Sequence, residues 1–155
     1  YFLINSEGME EISLPGKILF DDVQRGYSEK SYYMGKKGDY VYLRGEDNST
    51  TGVELYKYHP ANKTLEKFDI YPGAGGSSPM NFYEAKGQLF FVASSPSEGA
   101  ELWRINESNE PEIALDIVPG PEDSLPNYLN YDEGSDKIFF IYSKDSKFSI
   151  GNIEF

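Results

Sequence analysis

The sequence predicts an all-β protein, a β-propeller or propeller-like array of four-stranded blades, and three observations predict it. Tyrosine and phenylalanine are abundant, with 13 and 10 copies in 155 residues, and flat, stiff side chains suit a pleated, half-buried surface. The same short motifs return every 47 to 49 residues. No stretch carries apolar residues at helical spacing between caps.

The period comes first, because repeats of about 20 to 50 residues mark solenoids, propellers or arrays. Asp22-Val23-x-x-Gly26, Asp69-Ile70-x-x-Gly73 and Asp116-Ile117-x-x-Gly120 stand 47 residues apart, and the last two share Pro72 and Pro119. Gly52-Val53-Glu54-Leu55-Tyr56 returns after 47 residues as Gly99-Ala100-Glu101-Leu102-Trp103, and Pro79-x-x-Phe82 returns as Pro126-x-x-Leu129. Tyr40-Val41-Tyr42-Leu43, Leu89-Phe90-Phe91-Val92 and Ile138-Phe139-Phe140-Ile141 are spaced by 49, which places small insertions in the turns.

Each unit reads as four short runs divided by turn residues, supplied by 15 glycines and 9 prolines. In the clearest unit the runs are residues 81–86, 88–94, 100–105 and 112–117, with a tight turn at Gly87 and a polar hairpin from Asn106 to Pro111. The chain divides into a partial blade with its last two strands and a linker (1–30), two complete blades with linkers (31–78 and 79–125), and a partial blade with its first strands (126–155). In Leu89-Phe90-Phe91-Val92 and Ile138-Phe139-Phe140-Ile141 both alternating faces are apolar, which a strand needs when its sheet is covered on both sides. Blades stacked face to face provide that cover, and a two-layer sandwich ranks second. A ring takes about four to eight blades. Two whole units and two partial ones do not close one, and the chain opens on Tyr1 in an apolar run. The expectation is an excerpt of a longer polypeptide, or open blades completed by neighbouring chains through strand addition.

These units resemble the ELWxxDGT repeat family. The residues that carry the resemblance are Gly87-Gln88-Leu89-Phe90-Phe91, Glu101-Leu102-Trp103, Asp116-Ile117-Val118-Pro119-Gly120 and Pro126-x-x-Leu129, with a second copy in Glu54-Leu55-Tyr56 and Asp69-Ile70-Tyr71-Pro72-Gly73. The likeness spans residues 38 to 142 and thins before that, where Arg25 stands in place of the turn proline. The Asp-Gly-Thr of the family name is absent, replaced by Asn106-Glu107-Ser108 and His59-Pro60-Ala61. The resemblance implies propeller-like repeats of large secreted or surface proteins and no common catalytic activity.

Charge narrows the partners. A formal charge of −12 opposes nucleic acid and anionic membrane, which select clustered positive surface. No apolar run approaches the roughly 20 residues of a membrane span, so no membrane insertion is expected. Without cysteine there are neither disulfides nor thiolate metal sites.

No catalytic constellation stands out. His59 is the single histidine and lies in a polar turn, with no nucleophile motif beside it. The 26 acidic residues make paired carboxylates too common to single out a glycosidase pair. Gly73-Ala74-Gly75-Gly76-Ser77-Ser78 lacks the lysine and helix of a phosphate loop and reads as an interblade linker. Asp22, Asp69 and Asp116, with Gly26, Gly73 and Gly120, read as structural turn residues, the aspartates accepting hydrogen bonds from nearby backbone amides. No cofactor or metal site is assigned. Calcium is the one ion that the oxygen-rich loops at Glu122-Asp123 and Asp132 to Asp136 suit by ligand type. Three N-x-[ST] sequons, at Asn48, Asn62 and Asn106, fall in loops and are glycosylation candidates.

The sequence therefore points to a noncatalytic, acidic structural or adhesive glycoprotein, extracellular or on the cell surface, presenting loops to protein or glycan partners. Two alternatives stand beside it. One is the propeller portion of a secreted carbohydrate-active or hydrolytic enzyme whose catalytic residues lie outside this segment. The other is an assembly subunit whose open blades are completed by further copies.

Overall fold

The computed structural model describes residues 2–5, 8–11, 34–46 and 52–155. Among the described residues all regular structure is β-strand, and every pairing is antiparallel. β1 (Phe2–Asn5) and β2 (Gly8–Glu11) form a hairpin. The first sheet is the meander β3 (Met34–Lys37), β4 (Tyr40–Gly45), β5 (Glu54–His59) and β6 (Thr64–Phe68). The second repeats it with β7 (Met80–Ala85), β8 (Gln88–Ser95), β9 (Gly99–Ile105) and β10 (Pro111–Leu115). The third has β11 (Asn127–Asp132), β12 (Lys137–Lys144) and β13 (Lys147–Glu154). No sheet closes into a ring.

Alternation along β8 explains how the sheets stack. Leu89, Phe91 and Ala93 point one way and join Phe82 and Ile105 in a cluster with Tyr42 and Leu55 of the first sheet. Phe90 points the other way and joins Ala85 and Leu102 in a cluster with Ile138 and Phe140 of the third. The central sheet is thus covered on both faces, as its doubly apolar strand requires. Phe82 and Phe91 stack with ring centroids 5.4 Å apart. Each fully buried Leu or Phe of these layers contributes roughly 1.5–3 kcal/mol. On the far side of the first sheet, Leu43, Tyr56 and Tyr58 form a third buried cluster.

Turns set the register. At Lys86-Gly87 and at Asp145-Ser146 both central residues have positive φ, the two-residue geometry whose twist matches flanking strands. The ladders also revise one spacing. Lys37 pairs with Tyr40 across one turn and Ala85 with Gln88 across the equivalent turn, so β4 and β8 correspond at 48 residues, not 49. A slip of one residue exchanges the faces of a strand. Tyr42 accordingly matches Phe90, and Val41 and Leu43 match Leu89 and Phe91. β12 does match β8 at 49, because its preceding turn is longer: Asp132 pairs with Lys137.

One glycine position is fixed by the close passage of the linkers. Gly52 and Gly99, 47 residues apart, have φ of +70° and +68°, and a Cβ on Gly99 would lie 2.5 Å from the Glu122 carbonyl oxygen. Only a residue without a side chain lets the outgoing linker run against the start of β5 and β9.

Polar groups tie neighbouring sheets at the hairpin end. Lys37 Nζ donates to the Ile105 and Asn106 carbonyls, each at 2.8 Å. Lys86 Nζ reaches Asp136 Oδ1 at 2.7 Å, and the Tyr131 amide donates to Tyr83 Oη at 2.7 Å.

Candidate functional site

The most built polar arrangement is a repeated one, at the end of the stack where each sheet hands the chain to the next. In the first two sheets the third strand carries a glutamate at or near its start, Glu54 in β5 and Glu101 in β9, and both are fully buried. The strand pleat turns them toward the linker that leaves β6 or β10 and returns past the same strand. Glu54 accepts from the amides of Ile70 (3.2 Å), Tyr71 (3.3 Å) and Ser77 (3.1 Å) and from Ser77 Oγ (2.5 Å). Glu101 accepts from the amides of Ile117 (2.9 Å) and Val118 (3.4 Å) and from Ser124 Oγ (2.6 Å). Each linker then closes on the backbone before its glutamate: the Ser78 amide donates to the Val53 carbonyl, and those of Ser124 and Leu125 donate to Ala100.

Burial pushes both carboxyls above the ordinary glutamate value, and the serine and backbone donors pull them partly back. Asp116 adds repulsion at Glu101. Both carboxylates face inward with their oxygens engaged by linker donors. Such a group does not reach a solvent-borne substrate, and what it can do is hold a linker that lacks regular backbone pairing.

This places the expected turn residues. Gly73 and Gly120 carry φ of +99° and +104°, the conformation that selects glycine. The amides that follow Asp69 and Asp116 are those of Ile70 and Ile117, and their acceptors are Glu54 and Glu101. Asp116 Oδ1 is buried without a hydrogen-bond partner, and Asp69 is exposed. The staple glutamates went unread in the sequence, although the spacing was available: Glu54 to Ser77 and Glu101 to Ser124 are both 23 residues. Asp22, Gly26 and the sequon at Asn48 lie outside the described residues.

The two remaining sequons occupy equivalent hairpins with different surroundings. Asn62 is exposed and accepts only from its own sequon hydroxyl, Thr64 Oγ1 at 2.8 Å. Asn106 is half-buried, accepts from the Ser108 and Glu110 amides and donates through Nδ2 to Glu112 Oε2 at 3.3 Å. The nitrogen that would carry a glycan is therefore engaged at Asn106.

The loops weighed for other chemistry are likewise committed. Asp132 accepts from the Ser135 amide and hydroxyl, Asp136 binds Lys86 and Tyr131, and Asp123 Oδ1 accepts from the Ala100 amide. No group of three or more His, Asp or Glu among the described residues is placed to hold a metal ion. The Ser77 and Ser78 amides of the glycine-rich linker point to Glu54 and Val53. His59 stacks edge-on against Tyr40 at 5.0 Å, its Nδ1 buried and without a partner. Trp103 packs against the cluster between the first two sheets. A shallow hollow at Gln88, Arg104, Asn106, Glu107, Ser108 and Glu112 is crossed by the Arg104–Glu112 ion pair at 2.7 Å.

Comparisons with family models, with curated proteins and with solved structures give no match to this chain.

Proposed function

We propose that this chain is a noncatalytic structural or adhesive repeat protein of the extracellular space or cell surface, in which a propeller-like stack of sheets presents loops to protein or glycan partners. The observation that supports it best is the paired glutamate staple. The glutamates that recur with the repeat, Glu54 and Glu101, are buried and hold the linkers that join one sheet to the next, which is how a scaffold uses polarity. In each sheet the turn between the first and second strands, joined in the two four-stranded sheets by the turn between the third and fourth, lies at one end of the meander. That end holds exposed Asn62, Glu107, Glu110 and Glu133, a hydrophilic rim suited to a glycan or to a basic partner surface.

The reading is tested by expressing the chain through a eukaryotic secretory pathway and measuring intact mass before and after removal of N-glycans. The expected result is a secreted chain with a glycan at Asn62, lost in Asn62→Gln. A chain that stays unglycosylated and is retained, or one that turns over a carbohydrate or ester substrate by itself, overturns the proposal.

A further inference from the structure

We propose that His59, backed by Tyr40, is the platform on which the first sugar of a glycan at Asn62, an N-acetylglucosamine, packs, so that the sugar becomes part of the hairpin. The proposal rests on the functional reading above for the glycan itself and deepens it at that site. His59 closes β5 and is the ladder partner of Thr64 at the start of β6, and residues directly opposite in a ladder project on the same face. Tyr40 flanks His59 on its other side, one residue beyond the Val41–Tyr58 pair, with the two rings edge-on at 5.0 Å. Tyr40, His59 and Thr64 thus form a row across the hairpin end of the first sheet. Thr64 Oγ1 donates to Asn62 Oδ1 at 2.8 Å, which draws the sequon carboxamide toward the face that carries the row. Asn62 is exposed, and His59 and Tyr40 are half-buried.

What this row offers fits a pyranose. One side of such a ring carries C–H groups and covers apolar surface, while its hydroxyls stay in water, and aromatic side chains with a polar tip suit partners of that kind. Tyr40 is itself held: Lys57 Nζ lies 5.3 Å from its ring centroid and is paired with Glu66 at 2.7 Å. The platform is therefore ordered before a sugar reaches it, which lowers the entropy lost on packing. The turn supplies the reach. Asn62 stands three residues after His59, and the turn through Lys63, at φ +55°, returns the chain to Thr64 beside the imidazole. The second sheet lacks the arrangement. There Asn106 itself stands 47 residues after His59, so its sequon has no ring at the equivalent position, and its Nδ2 is bonded to Glu112.

The test uses the chain secreted from a eukaryotic host, with its glycans trimmed enzymatically to the single asparagine-linked N-acetylglucosamine. It is compared with Asn62→Gln, each with His59 intact, as His59→Phe and as His59→Ala, and each checked for fold by far-ultraviolet circular dichroism. The sugar-bearing wild type is expected to melt about 2–4 °C above Asn62→Gln, the scale of one aromatic pair in a chain of this size. That gain should persist in His59→Phe and fall by at least about half in His59→Ala, as coupling between groups in contact requires. In proton NMR the sugar's ring protons should lie upfield of their free-sugar positions in the wild type, further upfield in His59→Phe, and return in His59→Ala. An Asn62 that stays bare overturns this proposal together with the glycosylation it rests on. A glycosylated Asn62 whose sugar protons keep their free-sugar positions in the wild type, or whose stabilisation is unmoved by His59→Ala, overturns this proposal alone.

Discussion

Replacing Glu101 by glutamine isolates the staple with little change of shape. The carboxylate accepts from Ile117 N, Val118 N and Ser124 Oγ. A glutamine keeps one acceptor oxygen, which can serve Ile117 and Ser124 through the position of Oε2. Its amide nitrogen then faces the Val118 amide, donor against donor. An unsatisfied buried donor costs about 1–3 kcal/mol, and both the Val118 amide and the new side-chain amide are left without an acceptor. A net destabilisation of about 2–3 kcal/mol follows, a large share of the roughly 5–15 kcal/mol that holds a domain. In urea, with a slope of about 2 kcal/mol/M, the midpoint should fall by roughly 1–1.5 M. Glu112→Gln is the control, because its exposed pair with Arg104 is of the kind worth about 1 kcal/mol or less. A double-mutant cycle with Ser124→Ala should show coupling of at least about 0.5 kcal/mol, as expected of residues in one buried network. If Glu101→Gln shifts the midpoint no more than Glu112→Gln, the staple does not hold the linker and the reasoning fails.

The same glutamates make the staple sensitive to pH. Their folded-state values are raised above the ordinary one, so their contribution is complete below the unfolded value, about 4.3, and declines as pH rises through the folded value. The stability gap between wild type and Glu54→Gln/Glu101→Gln should therefore narrow from pH 4 toward neutrality; a gap that widens in urea titrations refutes the sign. Gly99→Ala places a Cβ against the Glu122 carbonyl at positive φ and should cost on the order of 1–3 kcal/mol from the backbone strain alone, read as a lowered thermal midpoint. Lys37→Met removes two charge-assisted bonds between the first and second sheets; the expected loss is about 1.5–3 kcal/mol, with faster hydrogen exchange in the Asn106 hairpin, and unchanged exchange there would exclude the tie. Phe91→Ala opens a cavity between those sheets and should cost about 3–5 kcal/mol, a loss that denaturation in urea measures directly.

The strands were legible because their signals are local. Alternation and turn residues placed the second sheet within one or two residues, from Met80 to Leu115, and the doubly apolar run at Leu89 to Val92 announced a sheet covered on both faces. The spacing of β4 to β8 was misjudged by one because apolar identity does not encode face: Val41, Tyr42, Leu43 and Leu89, Phe90, Phe91 are apolar throughout, and the pairing across Gly38-Asp39 decides which of them meet. The staple was hidden for a different reason. Asp69 and Asp116 sit beside the amides in sequence, while the acceptors that reach them come from strands 16 residues earlier. Proximity along the chain favoured the wrong carboxylate.

Strands and linkers are held in place by different kinds of side chain. Between sheets, register is set by apolar side chains on two faces, and a slip of one residue would exchange Tyr42 for Val41 and Leu43 in the core. Linkers have no ladder to fix them, so a buried acceptor does that work once per repeat, at Glu54 and at Glu101. The third sheet departs from this rule. The position equivalent to Glu101 in its last strand is Ser149, opposite Tyr142, and Gly151 takes the place of Trp103, with a Cβ there 2.5 Å from the Phe140 ring. The described stack thus passes from sheets that carry a linker staple to one that lacks it, while the apolar forward face at Ile141 and Ile150 persists. Staple and face are separable features of the repeat. Glu101→Gln should therefore loosen the linker and leave the contact of Phe90 and Leu102 with the third sheet intact, read as faster hydrogen exchange at Ile117 and Val118 with unchanged exchange in β12.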